Sequence, residues 1–293
     1  MNRLFELLQF QGRPYLWAHA TRSTEHFKGY YHWHQGCELL LVHEGAGKVI
    51  VNQQSYDIRR GMLFFFQPFQ LHHVFVEADA ATPYVRTVFH FDPAPLESGL
   101  APFPRLQHLY MKLKQGTMAE QAFDLAEELD VLLPACEAFT RTQSQEAQGK
   151  QRVNDEEEAG LLLLQFLSAV NRRLAVVQPD NASARTPRYS EVIMQWVEAH
   201  YGEAFELERL SEELHLSKAY VSRVFQRETG SSLTDYIAAR RMKEACRLLQ
   251  TTDLPIRIIG ECVGLSNTSY FISAFKKVIG STPYKYKRNA SQT

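Results

Sequence analysis

The C-terminal third of the chain repeats a helical pattern, and this repeat restricts the fold more than any other feature of the sequence. The segment YVSRVFQRETG at 220–230 aligns with YFISAFKKVIG at 270–280, so that Tyr, Phe and Gly recur 50 residues apart. Upstream, HLS at 215–217 matches GLS at 264–266 at an offset of 49. Each copy follows apolar residues spaced as on one helix face: Leu207, Leu210 and Leu214, then Ile256, Ile259 and Val263. Each copy is therefore predicted to be a helix, a three-residue turn and a second helix.

The second helix of each unit is predicted to present one face outward, as a helix does when it enters the major groove of DNA. A long helix from Leu233 to Leu249 is predicted between the units. At this length it spans about 27 Å, which lets the two outer helices reach successive major-groove faces about 34 Å apart. The outward positions are Lys218, Ala219, Ser222, Arg223 and Gln226 in the first copy, and Thr268, Ser269, Ile272, Ser273 and Lys276 in the second. All of them except Ile272 are predicted to contact DNA.

The charge distribution points to the same partner. The net charge of the chain is -1, but residues 215–293 hold 13 Lys and Arg against 5 Asp and Glu, a net charge of +8. A basic segment on an otherwise acidic chain is typical of a protein that binds a polyanion. A single helix pair is more often an ordinary packing hairpin. Two copies, a connecting helix and a basic charge together predict binding to double-stranded DNA.

The C-terminal segment of the sequence resembles a known family. Residues 189–288 are similar to the DNA-binding domain of AraC/XylS-type transcriptional regulators, over the stretch from LSKAYVSRVFQRETG to GSTPYKYK. In that family two recognition helices read bases in adjacent segments of the major groove. The resemblance assigns this role to Ala219, Ser222 and Arg223 in one helix and to Thr268, Ser269 and Ser273 in the other. Arg223 is the best candidate for a bidentate contact with guanine, and a phosphate contact is its alternative.

The N-terminal part is predicted to be a small β-barrel or sandwich. Short apolar runs at 38–43, 48–52, 61–66 and 85–91 are separated by Gly- and Pro-containing turns, which is typical of short antiparallel strands. The pattern HxHxxxE at 32–38, followed by PxxxH at 68–72, resembles the two motifs of cupins. The resemblance implies a cupin-like double-stranded β-barrel.

Four polar side chains form the candidate site of this barrel. His32, His34 and Glu38 share a parity and are expected on one face, and His72 is expected from a facing strand. Such a set could hold Zn, Fe or Mn, or could be structural. The resemblance to regulators implies instead a pocket for a small effector, often a sugar, without a metal or cofactor. Trp17 and Tyr31 are further pocket candidates because a sugar could stack on their rings, although each could equally pack in the core. Trp33 is the weakest candidate of this kind, because its parity points it away from His32 and His34.

The 293 residues are long enough for more than one domain. We expect the barrel at 1–98, a helical extension at 101–178 that could dimerise, a linker at 179–188 and the double helix-turn-helix domain at 189–288. The start of the sequence does not read as a signal peptide, and no apolar run is long enough to span a membrane. Its four cysteines, Cys37, Cys136, Cys246 and Cys262, show no paired spacing. Reduced thiols and a cytoplasmic location are expected.

These patterns predict an effector-responsive transcription regulator without enzymatic activity. The resemblance favours an activator that contacts RNA polymerase, binds double-stranded DNA and a small molecule, and forms a homodimer. Two alternatives remain open. One is a cupin metalloenzyme fused to a DNA-binding domain, and the other is a regulator whose barrel serves only for assembly.

Overall fold

The structure is a computed structural model that describes residues 6, 8–10, 12–116, 118, 120–147, 155–176 and 187–290. The linker expected at 179–188 lies outside the described residues except for residues 187 and 188. Strands dominate the N-terminal part of the chain, and residues 189–290 are helical apart from short turns. No helix of the described part is both long and apolar enough to cross a membrane.

The N-terminal strands form two antiparallel sheets. The larger sheet has the order β1-β7-β2-β5-β8, and the smaller has the order β4-β3-β6. In chain order the strands are β1 (Tyr15–Ser23), β2 (Cys37–Glu44), β3 (Gly47–Val51), β4 (Gln54–Ile58), β5 (Met62–Phe66), β6 (His72–Val76), β7 (Tyr84–Phe91) and β8 (Ala122–Asp124). This arrangement confirms the predicted cupin-like β-domain.

Alternation along the strands gives the large sheet two buried faces. Leu40 and Val42 of β2 point inward, where they join Phe64 and Val74 in a core between the two sheets. Leu39 and Leu41 of β2 point to the opposite face of the sheet and belong to a second core. Because both faces are covered, β2 is buried at all but its last position and β5 at every position, which a one-sided strand would not be.

Helices cover the outer face of the large sheet. They are α1 (Pro93–Glu97), α2 (Pro104–Gln115), α3 (Leu129–Ala147) and α4 (Asp155–Val176). Phe65 and Phe89 from the sheet share one core with Leu163 and Phe166 of α4. The segment expected to be a helical extension therefore packs on the barrel, and it also contributes strand β8, which pairs with β5.

The C-terminal helices reproduce the sequence repeat. The recognition helices α7 (Lys218–Thr229) and α10 (Thr268–Ile279) follow α6 (Leu207–Glu213) and α9 (Ile256–Cys262), and α8 (Leu233–Thr251) joins the two units. Both recognition helices begin at a capping side chain, Ser217 or Asn267, and end at a glycine with positive φ. The remaining helices are α5 (Tyr189–His200) and α11 (Pro283–Ala290). The two predicted helix-turn-helix units and their connecting helix are confirmed.

The barrel and the helical domain contact each other through a buried carboxylate. Glu191 of α5 is 3% exposed, and its Oε1 accepts a hydrogen bond of 2.7 Å from the backbone N–H of Ser55 in β4. Arg188 donates to Ser55 Oγ at 2.8 Å and to Asp57 at 2.5 Å. These contacts join residues more than 130 positions apart in the chain.

We expect Glu191→Ala to loosen this domain contact. The substitution leaves the buried Ser55 N–H without its acceptor, which costs about 1–3 kcal/mol. Hydrogen exchange measured by mass spectrometry should show faster exchange of the Ser55 amide and of β4. Glu212→Ala, at an exposed position of the same domain, serves as the control. Unchanged exchange at Ser55 in the Glu191 variant would contradict the assigned contact.

Candidate functional site

The candidate nucleic-acid interface lies on the outer faces of α7 and α10. All nine residues predicted to contact DNA lie in these two helices. Eight of them are exposed, and Thr268 at the start of α10 is half-buried. The opposite faces hold the cores of the two units, with Val224 and Phe225 in one and Phe271 and Phe275 in the other. The structure therefore leaves the predicted contact residues free of the packing core.

Arg223 and Lys218 differ in their surroundings. The Arg223 guanidinium folds back on its own helix and donates from Nε to the carbonyl oxygen of Ala219 at 3.1 Å. The Lys218 ammonium pairs with the carboxylate of Glu208 in α6. Lys218 is therefore partly neutralised at the edge of the face, whereas Arg223 is held by a weaker, neutral acceptor.

One exposed residue of this face was missed by sequence reasoning. Tyr270 is 62% exposed near the start of α10. The sequence alignment paired it with Tyr220, which is half-buried and packs against Tyr189. The two tyrosines of the repeat therefore lie in different environments, and the repeat alone does not reveal that Tyr270 is exposed.

The structure brings together His32, His34, Glu38 and His72. One ligand atom from each of these side chains lies within 4.8 Å of the others. His34 Nε2 is 2.9 Å from Glu38 Oε2, and His72 Nε2 is 3.4 Å from the same oxygen. The backbones of His32 and His72 exchange two hydrogen bonds of 3.0 Å, which fixes their separation. The sequence prediction of a shared location for these four residues agrees with this geometry.

A fifth polar side chain, His90, also reaches the cluster. It lies on β7 directly opposite Glu38 of β2, and its Nε2 is 3.2 Å from Glu38 Oε2. Sequence reasoning missed His90, because strand pairing and not sequence spacing places it there. Its alternation with the outward-facing Phe89 and Phe91 is the signal that could have identified it.

The carboxylate controls the protonation of the surrounding groups. Burial alone would raise the pKa of Glu38, but His90 and hydrogen bonds from His34 and His72 hold that pKa well below its usual value. Burial lowers the pKa of His32 and of His34. Burial opposes the charged form of His90 as well, yet its pKa is raised by the adjacent Glu38. The buried site therefore favours an ionised Glu38 and a neutral His32.

Each of the three clustered imidazoles is oriented by a backbone carbonyl. The Nδ1 atom of His32 lies 3.0 Å from the carbonyl oxygen of Tyr30, and those of His34 and His72 lie 2.9 Å from Gly36 and Gln70. The Nε2 atoms of His34 and His72 face the Glu38 carboxylate. Nitrogen and carboxylate ligands of this kind fit a divalent transition-metal ion such as Zn²⁺, Mn²⁺ or Fe²⁺.

The structure does not bring Trp17 or Tyr31 to this cluster. Trp17 pairs with Phe89 on the outer face of the sheet, and its ring centroid is 5.0 Å from that of Phe139 in α3. Tyr31 is 2% exposed and packs against Tyr236 of α8, with a ring separation of 5.1 Å. Both rings are used in packing, which was the alternative considered from the sequence.

Known protein families match both the N-terminal and the C-terminal part of the chain. The family described as "AraC-like ligand binding domain" matches residues 13–167, which is more than half of the chain. The chain belongs to the AraC family of transcription regulators. The family described as "Helix-turn-helix domain" matches residues 210–289 and thus both repeated units.

Individual relatives are distant but align over most of the chain. The Msm operon regulatory protein of Streptococcus mutans is 23% identical over 85% of this chain and 83% of its own length. The Arabinose operon regulatory protein of Salmonella typhimurium is 25% identical over 86% of this chain and 84% of its own length. A structure of ToxT from Vibrio cholerae aligns over 94% of this chain and 98% of that chain, with 14% identity and a TM-score of 0.37.

We expect Glu208→Gln to strengthen DNA binding. The substitution releases Lys218 and removes a negative charge from the edge of the DNA-binding face, so one more phosphate can be neutralised. Affinity should rise about two- to fivefold, and the slope of log affinity against log salt should steepen by about 0.9. Fluorescence anisotropy at several salt concentrations measures both quantities. Glu206→Gln is the matched control, because it removes an exposed carboxylate just before the start of the same helix. An equal response in both variants would argue against a role for Lys218.

Proposed function

We propose that this member of the AraC family is an activator that binds a two-part DNA site and responds to a small-molecule effector bound in the N-terminal barrel. The observation that carries the proposal is the pair of exposed recognition helices, held by α8 and attached to a domain with a buried polar site. A ligand can change DNA binding only if it binds the DNA-competent arrangement with a different affinity. The close contact between the two domains offers a route for that difference.

For DNA reading we propose the nine residues of α7 and α10 named above. Arg223 is the principal base reader, since a guanidinium can donate two hydrogen bonds to guanine. The second helix offers the short side chains Ser269 and Ser273 and the cationic Lys276. These side chains suit backbone contacts and DNA-shape recognition more than bidentate base contacts.

For effector binding we propose His32, His34, Glu38 and His72. They form the buried polar cluster of the barrel, and burial of several ionisable groups together is typical of functional sites. A carbohydrate effector is supported by the name of the Arabinose operon regulatory protein, which is similar to this chain over most of its length. The relatives compared over most of their length are named as regulators, which supports a function without catalysis.

We further propose a cytoplasmic homodimer that acts on RNA polymerase. The helical layer offers two exposed apolar side chains, Val131 of α3 and Leu161 of α4, each 55% exposed. Exposed apolar side chains on a helix are candidates for a subunit interface. A dimer would present four helix-turn-helix units and so lengthen the DNA site.

We expect Leu161→Glu to shift the chain from dimer to monomer. A charge on the proposed apolar contact has to be desolvated when the subunits associate, so association should weaken by at least about tenfold. Sedimentation velocity at several protein concentrations measures the change. Glu157→Gln, on an exposed part of the same helix, controls for altered surface charge. A dimer that withstands the Leu161 substitution would place the interface elsewhere.

We expect Arg223→Ala to weaken specific DNA binding by about 1–3 kcal/mol and to relax the preference at one base position. Arg223→Lys is the matched control, because it keeps the charge for phosphate but loses the bidentate fork. If Arg223 reads a base, both variants should lose discrimination at that position. If lysine restores full affinity and the alanine variant loses affinity equally on every sequence, Arg223 contacts phosphate.

The experiment that tests the proposed function is a selection from sheared genomic DNA at physiological salt. Purified protein should retain fragments that share a site with two parts about 10 bp apart. The genes beside the enriched site then suggest effectors, which can be tested through the change in melting temperature that a bound ligand produces. Retention of DNA without sequence preference would contradict the proposal.

A further inference from the structure

The two helix-turn-helix units touch each other away from the helix that joins them. Gly202 lies in the loop between α5 and α6 of the first unit, and a Cβ there would lie 2.9 Å from the carbonyl oxygen of Cys262 in the second. Gly264 lies in the turn between α9 and α10, and a Cβ there would lie 2.8 Å from the carbonyl oxygen of Glu203. The backbone of one unit therefore lies against the backbone of the other, closer than a side chain at either glycine allows.

The sequence repeat shows why a glycine stands at position 264. The corresponding turn residue of the first unit is His215, which is exposed. Both residues have the left-handed backbone conformation, with φ of 54° at His215 and 74° at Gly264. Because a histidine adopts this conformation in the first unit, the conformation alone does not require glycine in the second. The close approach of the loop at 201–203 is the feature that requires it.

Arg241 of the connecting helix α8 closes this contact between the units. It is 9% exposed, and it donates from Nε to the carbonyl oxygen of Tyr201 at 2.8 Å and from Nη2 to that of Glu203 at 2.6 Å. The same Nη2 atom would lie 2.8 Å from a Cβ at Gly264. A guanidinium holds its donors in a rigid planar fork, so it fixes the direction of the loop as well as its distance. One side chain thus holds the loop of the first unit against the turn of the second.

This contact is a second attachment between the units, beside α8 itself. Helix α8 has 19 residues, and helices of this length commonly curve, which would change the separation of α7 and α10. A spacing one base pair longer moves the second part of a DNA site by about 3.4 Å and turns it by about 35°. A shift of that size between the units would break both hydrogen bonds of Arg241. The intact contact therefore favours a single spacing.

We propose that Arg241, together with Gly202 and Gly264, is a positioning contact that sets the one spacing at which the two recognition helices read DNA. This inference rests on the proposed function and specifies how the length of the two-part site is measured. Arg241 is buried and acts through the loop at 201–203, not by touching DNA. It is not part of the hydrophobic core of either unit, so its loss should leave each unit able to read its own part of the site.

The first test compares the spacings that the full chain and its Arg241→Ala variant select from a pool of DNA duplexes with a random central segment. The unchanged chain should enrich two base patterns at one spacing, about 10 bp from centre to centre. The variant should enrich the same two patterns at that spacing and also at spacings one or two base pairs longer and shorter. An unchanged chain that accepts several spacings, or a variant restricted to the original spacing, overturns the proposal.

The second test measures affinity for the selected duplex with and without one inserted base pair, by fluorescence anisotropy. The insertion should weaken binding of the unchanged chain at least about thirtyfold, because the base contacts of one unit are lost. The same insertion should weaken binding of Arg241→Ala only about threefold, and Arg241→Lys, which keeps the charge without the fork, should lie between them. If Arg241→Ala loses the same factor of affinity at every spacing, Arg241 has only a structural role and the proposal is overturned.

A matched pair of turn variants tests the contact from its other side. Asparagine tolerates the left-handed conformation, so Gly264→Asn adds a side chain at the contact with little backbone strain. It should change or broaden the selected spacing, whereas His215→Asn, at the open turn of the first unit, should not. Identical spacing preferences of the two asparagine variants overturn the proposal.

The three measurements also separate this inference from the proposed function. If Arg241→Ala does not fold, the two asparagine variants and the insertion measured on the unchanged chain decide. Two base patterns at variable spacing in the unchanged chain contradict only the positioning contact. Failure of the unchanged chain to enrich any base pattern contradicts the proposed function itself.

Discussion

The packing of the extended segment at 31–34 between the barrel and the helical domain is the contact on which the arrangement of the molecule depends. Successive side chains of an extended backbone point to opposite sides. His32 and His34 therefore face the polar cluster, while Tyr31 and Trp33 complete the cores of the two helix-turn-helix units. Few residues separate the inside of one domain from the inside of the other, so a change at the cluster has a short path to the DNA-binding helices.

Packing within the barrel and its helices stabilises this contact between the 31–34 segment and the helical domain. Helix α4 and its neighbours bury the outer face of the large sheet, and the two sheets bury their inner faces against each other. Close-packed interiors of this kind respond to a small displacement by shifting between discrete arrangements and not by gradual deformation. The buried Glu191 adds a second attachment between β4 and α5. For a regulator of the AraC family, such attachments are the physical means by which one domain can sense the other.

Much of the fold and part of the candidate site could be predicted from local patterns. The recognition helices begin and end at the residues that the repeat and the capping residues predict. Apolar spacing, the Ser217 cap and Gly230 each act over only one or two helical turns, so a local sequence pattern is enough to reveal them. Short strands such as β8, and the strand register that sets His90 opposite Glu38, could not be predicted. Strand β8 is three residues long and exists only by pairing with β5. Trp17 was a plausible sugar-stacking residue, but its neighbour Phe139 lies more than 120 residues away in the chain.

The sequence by itself determined that the chain has a paired helix-turn-helix domain, a basic C-terminal segment and a barrel with three histidines and an acid at cupin-like spacing. Each of these features follows from periodicity, charge or short sequence spacing. None of them depends on contacts between residues that are distant in the chain. Only the tertiary structure decided that Tyr31 and Trp33 belong to the DNA-binding cores and that His90 joins Glu38. Those outcomes depend on strand register and on packing between distant segments, and no local pattern in one sequence encodes which distant surfaces will meet.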